Sequence, residues 1–328
     1  MGRDRKTTRK KGRALMGRAV LFLVVAGILF LGCARFLFVS ICGRKEVPWP
    51  DLGAADEVQY GILTEGYEIR KEGGEEVSIL ASDKTRLVAH YYERQQGAPV
   101  VLFFHGYRSF AVVDGVPAYR ITKQLNWNLL LVTSRAHGES SGDFVTFGAR
   151  EREDCLAWAN WAEERFGEEV PLFLMGVSMG GAQVVQSCDL ALPASVCGII
   201  NDCGYVSFMD MLGRSIQLRT GKGFLVKLPK LCLEAGARIF GGFSFSDKAV
   251  YKSVENTKIP ILFIHSDTDQ VVPFSAAETL YEKYAGPKEM LKIHGAGHGE
   301  NYRTEPERYE KAVKAFLTKY GKEDSKTK

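Results

Sequence analysis

Gly176-Val177-Ser178-Met179-Gly180 follows an apolar run, Val170-Pro171-Leu172-Phe173-Leu174-Met175, and leads into Ala182-Gln183-Val184-Val185. A Gly-x-Ser-x-Gly at a strand-to-helix junction reads as a nucleophile elbow. The turn lifts the serine out of the strand end, and residues without side chains on either side let strand and helix close together. The pattern alone decides little, because 34 Gly and 18 Ser in 328 residues produce it by chance in roughly a fifth of cases. Its neighbours carry the weight.

Outward from the elbow, apolar runs recur at Val100–Phe104, Leu129–Thr133, Val170–Gly176, Val196–Asp202, Ile259–His265 and Met290–Ile293. Helical patterns fall between them at Tyr119–Leu125, Arg150–Arg165, Gly180–Cys188 and Ala276–Tyr284, with a last one at Pro306–Tyr320. Near-continuous apolar strands alternating with helices predict an α/β architecture, a mostly parallel twisted sheet with helices on both faces. An antiparallel hairpin, Glu76–Leu80 with Leu87–Tyr92 across Ser82-Asp83-Lys84-Thr85, should precede it. Between Tyr205 and Val254 the alternation lapses for about fifty residues, a length that points to a small helical cap over the C-terminal edge of the sheet.

Hydrophobic content of 45% and charged content of 25% are ordinary for a globular protein. The net charge of +4 is unevenly placed: residues 1–18 hold eight Lys/Arg against Asp4 alone, which leaves the rest of the chain at −3. A mildly acidic body argues against a nucleic-acid partner. After the basic tail (1–18), residues 19–42 are apolar except for Arg35 and as a helix would span roughly 36 Å, enough to cross a bilayer. The run outlasts a signal-peptide core and ends without a clean cleavage site, so a transmembrane signal anchor is favoured over a cleaved signal or a lipoprotein signal at Cys33. The preceding bases predict a cytoplasmic N-terminus and an extracytoplasmic catalytic domain, against which Arg35, Arg44 and Lys45 weigh only in part. Residues 43–74 read as linker and lead-in, 75–320 as the main domain with its cap at about 205–254, and 321–328 as a polar tail. Seven cysteines without a CxxC fit buried thiols better than a disulfide framework.

A serine hydroxyl is a weak nucleophile and needs a base, which an acid must orient. With a nucleophile elbow the acid and base follow in the order Ser, Asp/Glu, His, each after a strand. Ile264-His265-Ser266-Asp267-Thr268-Asp269 follows one apolar run and Gly295-Ala296-Gly297-His298-Gly299 follows the last. Asp269 is preferred as the acid, with Asp267 bracing the turn and Asp202 as an alternative. His298 is preferred as the base over His294, which still lies at the strand end. His90, His137 and His265 read as packing or loop-bracing residues, and no pair of histidines has metal-ligand spacing on one helix, so neither a metal nor a cofactor is called for. The oxyanion donors should be the backbone N–H groups of Met179 and of Tyr107, the latter in the His105-Gly106-Tyr107-Arg108 turn.

With these residues placed, the chain resembles the α/β-hydrolase superfamily over about residues 75–320. The likeness is to serine hydrolases of the monoacylglycerol-lipase-like, serine-aminopeptidase-like and membrane-anchored depalmitoylase-like branch. It rests on His105-Gly106, the elbow, the Asp269 loop, His298 and Ser134-Arg135-Ala136-His137-Gly138-Glu139-Ser140-Ser141-Gly142. That last stretch resembles the family's Arg-Gly-His-Gly-x-Ser loop with Ala136 replacing a glycine, and Thr133-Ser134 stand where an Asp is common. It reads as a structural brace. Thr146-Phe147-Gly148 and Glu153-Asp154 look family-like as well. The resemblance implies acyl transfer through an acyl-enzyme with a small-molecule acyl ester as substrate, apolar if the cap's aromatics line its site. Thioesterase, peptidase and acyltransferase activities share the chemistry, and a non-enzymatic membrane-tethered binding protein is the alternative of another class. Oligomeric state is not written in the sequence.

Overall fold

The computed structural model describes residues 3–245, 250–255 and 257–321. The polar tail expected over 321–328 lies outside the described residues from 322 onward, as do residues 1 and 2 of the basic tail and the side chains of residues 3–14. A 40-residue helix, α1 (Arg3–Cys42), opens the chain. The lead-in holds a helix that the apolar pattern does not announce, α2 (Glu57–Glu72), capped by the Asp56 carboxylate, which accepts from Gln59 N at 2.9 Å. Gly61 and Gly66 lower its intrinsic propensity and it buries only Leu63, Gly66 and Ile69. Tertiary packing makes this helix.

The hairpin β1 (Glu75–Leu80) and β2 (Arg86–Tyr92) comes next, then β3 (Val100–Phe104), the short α3 (Ala111–Asp114), α4 (Val116–Leu125) and β4 (Asn128–Thr133). The core continues through α5 (Glu151–Phe166), β5 (Leu172–Val177), α6 (Met179–Gln186) and β6 (Val196–Asp202). The cap follows as α7 (Phe208–Thr220), a 3-10 turn (Gly223–Val226), α8 (Lys227–Gly236), a π turn (Ala237–Gly241) and α9 (Val250–Ser253). The chain closes with β7 (Ile261–Ser266), α10 (Phe274–Lys283), β8 (Lys288–Ile293), α11 (Asn301–Thr304) and α12 (Pro306–Tyr320).

The eight strands form one open sheet in the order β1-β2-β4-β3-β5-β6-β7-β8. β2 runs antiparallel to both neighbours and the remaining pairs are parallel. β5 and β7 begin two residues later than their apolar runs, just after Pro171 and Pro260, which lack the N–H that a ladder needs. Alternate strand residues face opposite layers. Leu102, Leu130, Leu174 and Phe263 pack with Trp158 of α5 and Val185 of α6, whereas Phe103, Leu131, Met175 and Ile264 pack with Ile121 of α4 and Phe316 of α12. Chain direction along the sheet reverses at β3, flanked by β4 and β5, and ligands of such sheets collect at the strand C-termini beside that switch point.

The last turns of α1 belong to this body. Ala34, Phe38 and Cys42 recur at every fourth residue and are fully buried. Gly236 of α8 abuts Ala34 and Phe38, where a Cβ would clash, and the Phe38 ring lies 4.7 Å from that of Phe144. Residues from Leu15 to Leu31 stay largely exposed, so the long apolar helix has two parts: a free one, and one embedded against the cap. No disulfide forms among the seven cysteines.

Candidate active site

Ser178 sits between β5 and α6 with φ 52° and ψ −109°, a left-handed conformation that side chains avoid. Such strain costs about 1–3 kcal/mol and persists only where the surroundings overdetermine it. Here they do. Ser178 N donates to Asp202 O at 2.8 Å, and a Cβ on Gly180 would overlap the Phe104 carbonyl, as one on Gly176 would overlap the Gly180 backbone. Both glycines of the pentapeptide are thus required by close approach of backbone to backbone.

From this turn the Ser178 hydroxyl meets His298 Nε2 at 2.8 Å, and His298 Nδ1 meets Asp269 Oδ2 at 2.7 Å. His298 stands in the loop after β8 and Asp269 in the loop after β7. The buried Asp269 carboxylate is saturated on its other oxygen by the N–H groups of Val271 and Val272, at 2.8 and 2.9 Å. Those bonds fix its direction toward the imidazole. Asp267, two residues earlier, instead pairs with His294 at the surface and takes Gly295 N, bracing the turn. Asp202 is also turned away: Asn301 Nδ2 and Tyr309 Oη donate to it at 2.6 and 2.8 Å, and burial pushes its carboxyl up to about 6. Cys203, Asp269 and His298 bring donor atoms within 4.8 Å of one another, but the Asp and His atoms are already engaged with each other.

The oxyanion candidates flank the serine. Met179 opens α6, where a helix leaves its first N–H groups without internal acceptors. Gly106 is adjacent, since a Cβ on it would stand 3.7 Å from Ser178 Cβ. Gly106 N donates to Asp114 Oδ2 and Arg108 N to His137 Nε2, while the N–H of Tyr107 between them has no acceptor among the described residues. Asp114, the residue that aims this loop, was not singled out in the sequence; a lone Asp at the end of a short helix carries no signal.

Two buried histidines hold the same loop. His105 Nε2 accepts from Ser134 N at 3.0 Å and His137 Nε2 from Arg108 N at 2.9 Å, so each Nδ1 carries the proton and donates to the carbonyl of Gly106 or Arg135. Burial pulls both rings down to about 4, which keeps them neutral acceptors. His265 braces likewise, bonded to Val272 O. Arg135 forks onto Asp154 at 2.5 and 2.6 Å and reaches Asp83 at 2.8 Å, tying the 134–142 loop to α5 and to the β1–β2 turn. The cap's aromatics pack on one another and on Phe147 of the main domain: Phe208 stacks on Phe147 at 3.7 Å and Phe245 lies tilted against Phe208 at 4.9 Å. A cavity of about 510 Å³ lies behind the oxyanion loop, lined by Trp49, His105 and Phe110, and a cleft of about 310 Å³ separates Met211 and Arg214 of the cap from Val272 and Pro273.

No family model matches the chain. It is similar to the uncharacterized protein YqkD of Bacillus subtilis, 25% identical over 221 residues, which are 66% of this chain and 70% of that one. It is also 25% identical over 209 residues to the lysophosphatidylserine lipase ABHD12 of Danio rerio, 62% of this chain but only 52% of that protein. Among solved structures, the Pyrococcus furiosus esterase Pf2001 superposes with a TM-score of 0.61 at 19% identity, over 75% of this chain and 90% of the esterase. The chain has the α/β-hydrolase fold. The same fold superposes on Est1E of Butyrivibrio proteoclasticus, solved with ferulic acid bound, at a TM-score of 0.56 and 18% identity over 74% and 98% of the two chains.

Proposed function

We propose that this α/β-hydrolase is a serine hydrolase of carboxylic esters with apolar acyl or aryl groups, held at a membrane by α1. The observation that carries the reading is the unbroken contact from the Ser178 hydroxyl through His298 to Asp269, on a serine strained out of its strand. In the reaction Ser178 Oγ attacks the ester carbonyl as His298 Nε2 takes its proton, and Asp269 supports the imidazolium so formed. The N–H groups of Tyr107 and Met179 receive the oxyanion. His298 then returns the proton to the departing alcohol, and water repeats the sequence to free the acid and Ser178. The esterases among the fold relatives favour ester over amide or thioester cleavage, and the name of the zebrafish relative adds lysophospholipid esters to the candidates.

A fluorophosphonate probe should label the wild-type chain and leave Ser178→Ala unlabelled, and a panel of esters, thioesters and aminoacyl amides should show ester turnover that Ser178→Ala loses. Labelling that survives in Ser178→Ala sinks the reading. For topology, the basic tail before α1 supports a reading in which the catalytic domain lies outside the cytoplasm. Alkaline phosphatase fused after residue 50 should be active; an inactive fusion reverses the orientation.

A further inference from the structure

The cap carries an apolar stripe that no described residue covers. Phe224, Leu228, Leu231 and Ile239 are 73%, 61%, 58% and 57% exposed, with Leu225 beside them. They lie on one nearly continuous helical run, the 3-10 turn, α8 and the π turn, at intervals that keep them on a single face. The other face of that run, Cys232, Leu233 and Gly236, is buried. Exposed large apolar side chains of this size, ordered in a row, mark a surface that meets something other than water.

The direction of the run shows what it meets. The thiol of Cys232 interacts with that of Cys33, Gly236 abuts Ala34 and Phe38, Gly241 abuts Phe38, and the Arg35 guanidinium lies 5.5 Å from the Phe240 ring centre. Contact positions rise together along both helices, so α8 and α1 run in the same direction. The start of the stripe, Phe224 to Leu228, therefore extends toward the free, apolar part of α1 and away from Arg35. At 1.5 Å per residue Leu228 lies up to roughly 6 Å past the level of Cys33. Beside it on α1 stand Ile28, Leu29 and Leu31, all exposed. Exposed bases flank the same end of the cap: Arg219, Lys222 and Lys227. A helix with Phe and Leu on one face and Lys and Arg at its margins has the composition of elements that lie in a bilayer interface, with apolar side chains sunk about 5–10 Å.

We propose that the cap is a second membrane-contacting element, its Phe224-Leu225-Leu228-Leu231 face immersed in the leaflet beside α1, so that apolar esters reach Ser178 from the lipid phase. The proposal rests on the membrane-anchored esterase reading above. It links the immersed helix to the chemistry through α7, whose Met211 and Arg214 form one wall of the cleft facing Val272 and Pro273 in the Asp269 loop. The bases then meet anionic headgroups while the aliphatic parts of their side chains stay with the apolar face.

The test uses the full chain reconstituted in vesicles of equal parts phosphatidylcholine and phosphatidylglycerol. The fluorescence added by Leu228→Trp should be quenched by lipids brominated in the acyl chain, and that added by Glu168→Trp, on the exposed turn before β5, should not. Equal quenching at the two positions overturns the proposal, whether water or a second copy of the chain occupies the face. Phe224→Glu combined with Leu228→Glu should leave turnover of a water-soluble butyrate ester within about twofold, yet lower that of a long-chain ester presented in the vesicles by about tenfold or more. Equal loss on both esters overturns entry from the lipid phase. If the wild-type chain hydrolyses neither ester, the esterase reading fails, and the quenching comparison still decides whether the cap is immersed.

Discussion

Ser178, Asp269 and His298 come together because three short loops leave neighbouring strand ends, and single residues within those loops decide which carboxylate faces the base. Asp202 and Asp269 are both buried beside this centre, but only Asp269 has an oxygen on His298. Asp269→Asn should lower kcat on a soluble ester by roughly 10⁴-fold, because the amide cannot hold the imidazole in the same tautomer or stabilise its cation. Asp202→Asn should cost stability through Asn301 and Tyr309 while lowering kcat far less. If the two losses prove equal, or their order reverses, the assignment of the acid is wrong. The preference for Asp269 over Asp267 was open to the sequence through loop placement alone; the two N–H donors that aim its carboxylate were not.

At the scale of elements, the central strands were legible because each is apolar on both faces. β5 and β7 start two residues later than their apolar runs, after Pro171 and Pro260, and β8 starts two residues earlier than its run, at Lys288, where Lys288-Glu289 carry no apolar signal. α2 was not legible, since a glycine-bearing helix with three buried positions has too weak a pattern. The most consequential element is the end of α1. Tyr107 Oη donates to Ile41 O at 2.5 Å and the Arg108 guanidinium to Ser40 O at 2.8 Å, while Val145 N donates to Cys42 O and Arg44 to the carbonyls of Ser140 and Gly138. The end of α1 thus fixes the 105–108 loop beside Ser178. A chain starting at residue 43 keeps Ser178, Asp269 and His298 but loses the three acceptor carbonyls of Ser40, Ile41 and Cys42 and the buried Phe38. Its kcat on a water-soluble ester should fall about tenfold or more, within the range for disturbing one oxyanion donor, while fluorophosphonate still labels Ser178. Undiminished kcat would show that α1 serves as an anchor alone.

For the whole molecule, the neutral histidines behind the active site tie stability to pH. His105 and His137 titrate near 4 when folded against an ordinary 6.5, so between those values the unfolded chain binds protons that the folded one refuses. Stability is therefore lost as pH falls from 6.5 toward 4, by up to about 3 kcal/mol for each ring. The buried carboxyls of Asp154 and Asp202 oppose this, because raised to about 6 they make the folded chain the better proton binder between 3.8 and 6, and burial raises Asp114 in the same direction. The imidazole contribution is therefore read by comparing variants: between pH 6.5 and 4 the denaturant midpoint of His137→Gln should change in the stabilising direction relative to that of the wild-type chain, and parallel profiles would contradict the linkage.

The order of strands, helices and chemical residues was determined by the sequence itself, because apolar period and glycine placement are local properties that a folded chain can satisfy in few ways. The elbow at Ser178 belongs to that class, and so does the order Ser178, Asp269, His298. Only the tertiary structure decided that Ala34, Phe38 and Cys42 are buried within the protein body. It likewise decided that α8 lies alongside α1 and that the last carbonyls of α1 hold Tyr107 and Arg108. Those contacts join residues far apart in the chain, and a residue's hydrophobicity is the same whether it faces a bilayer or a protein core.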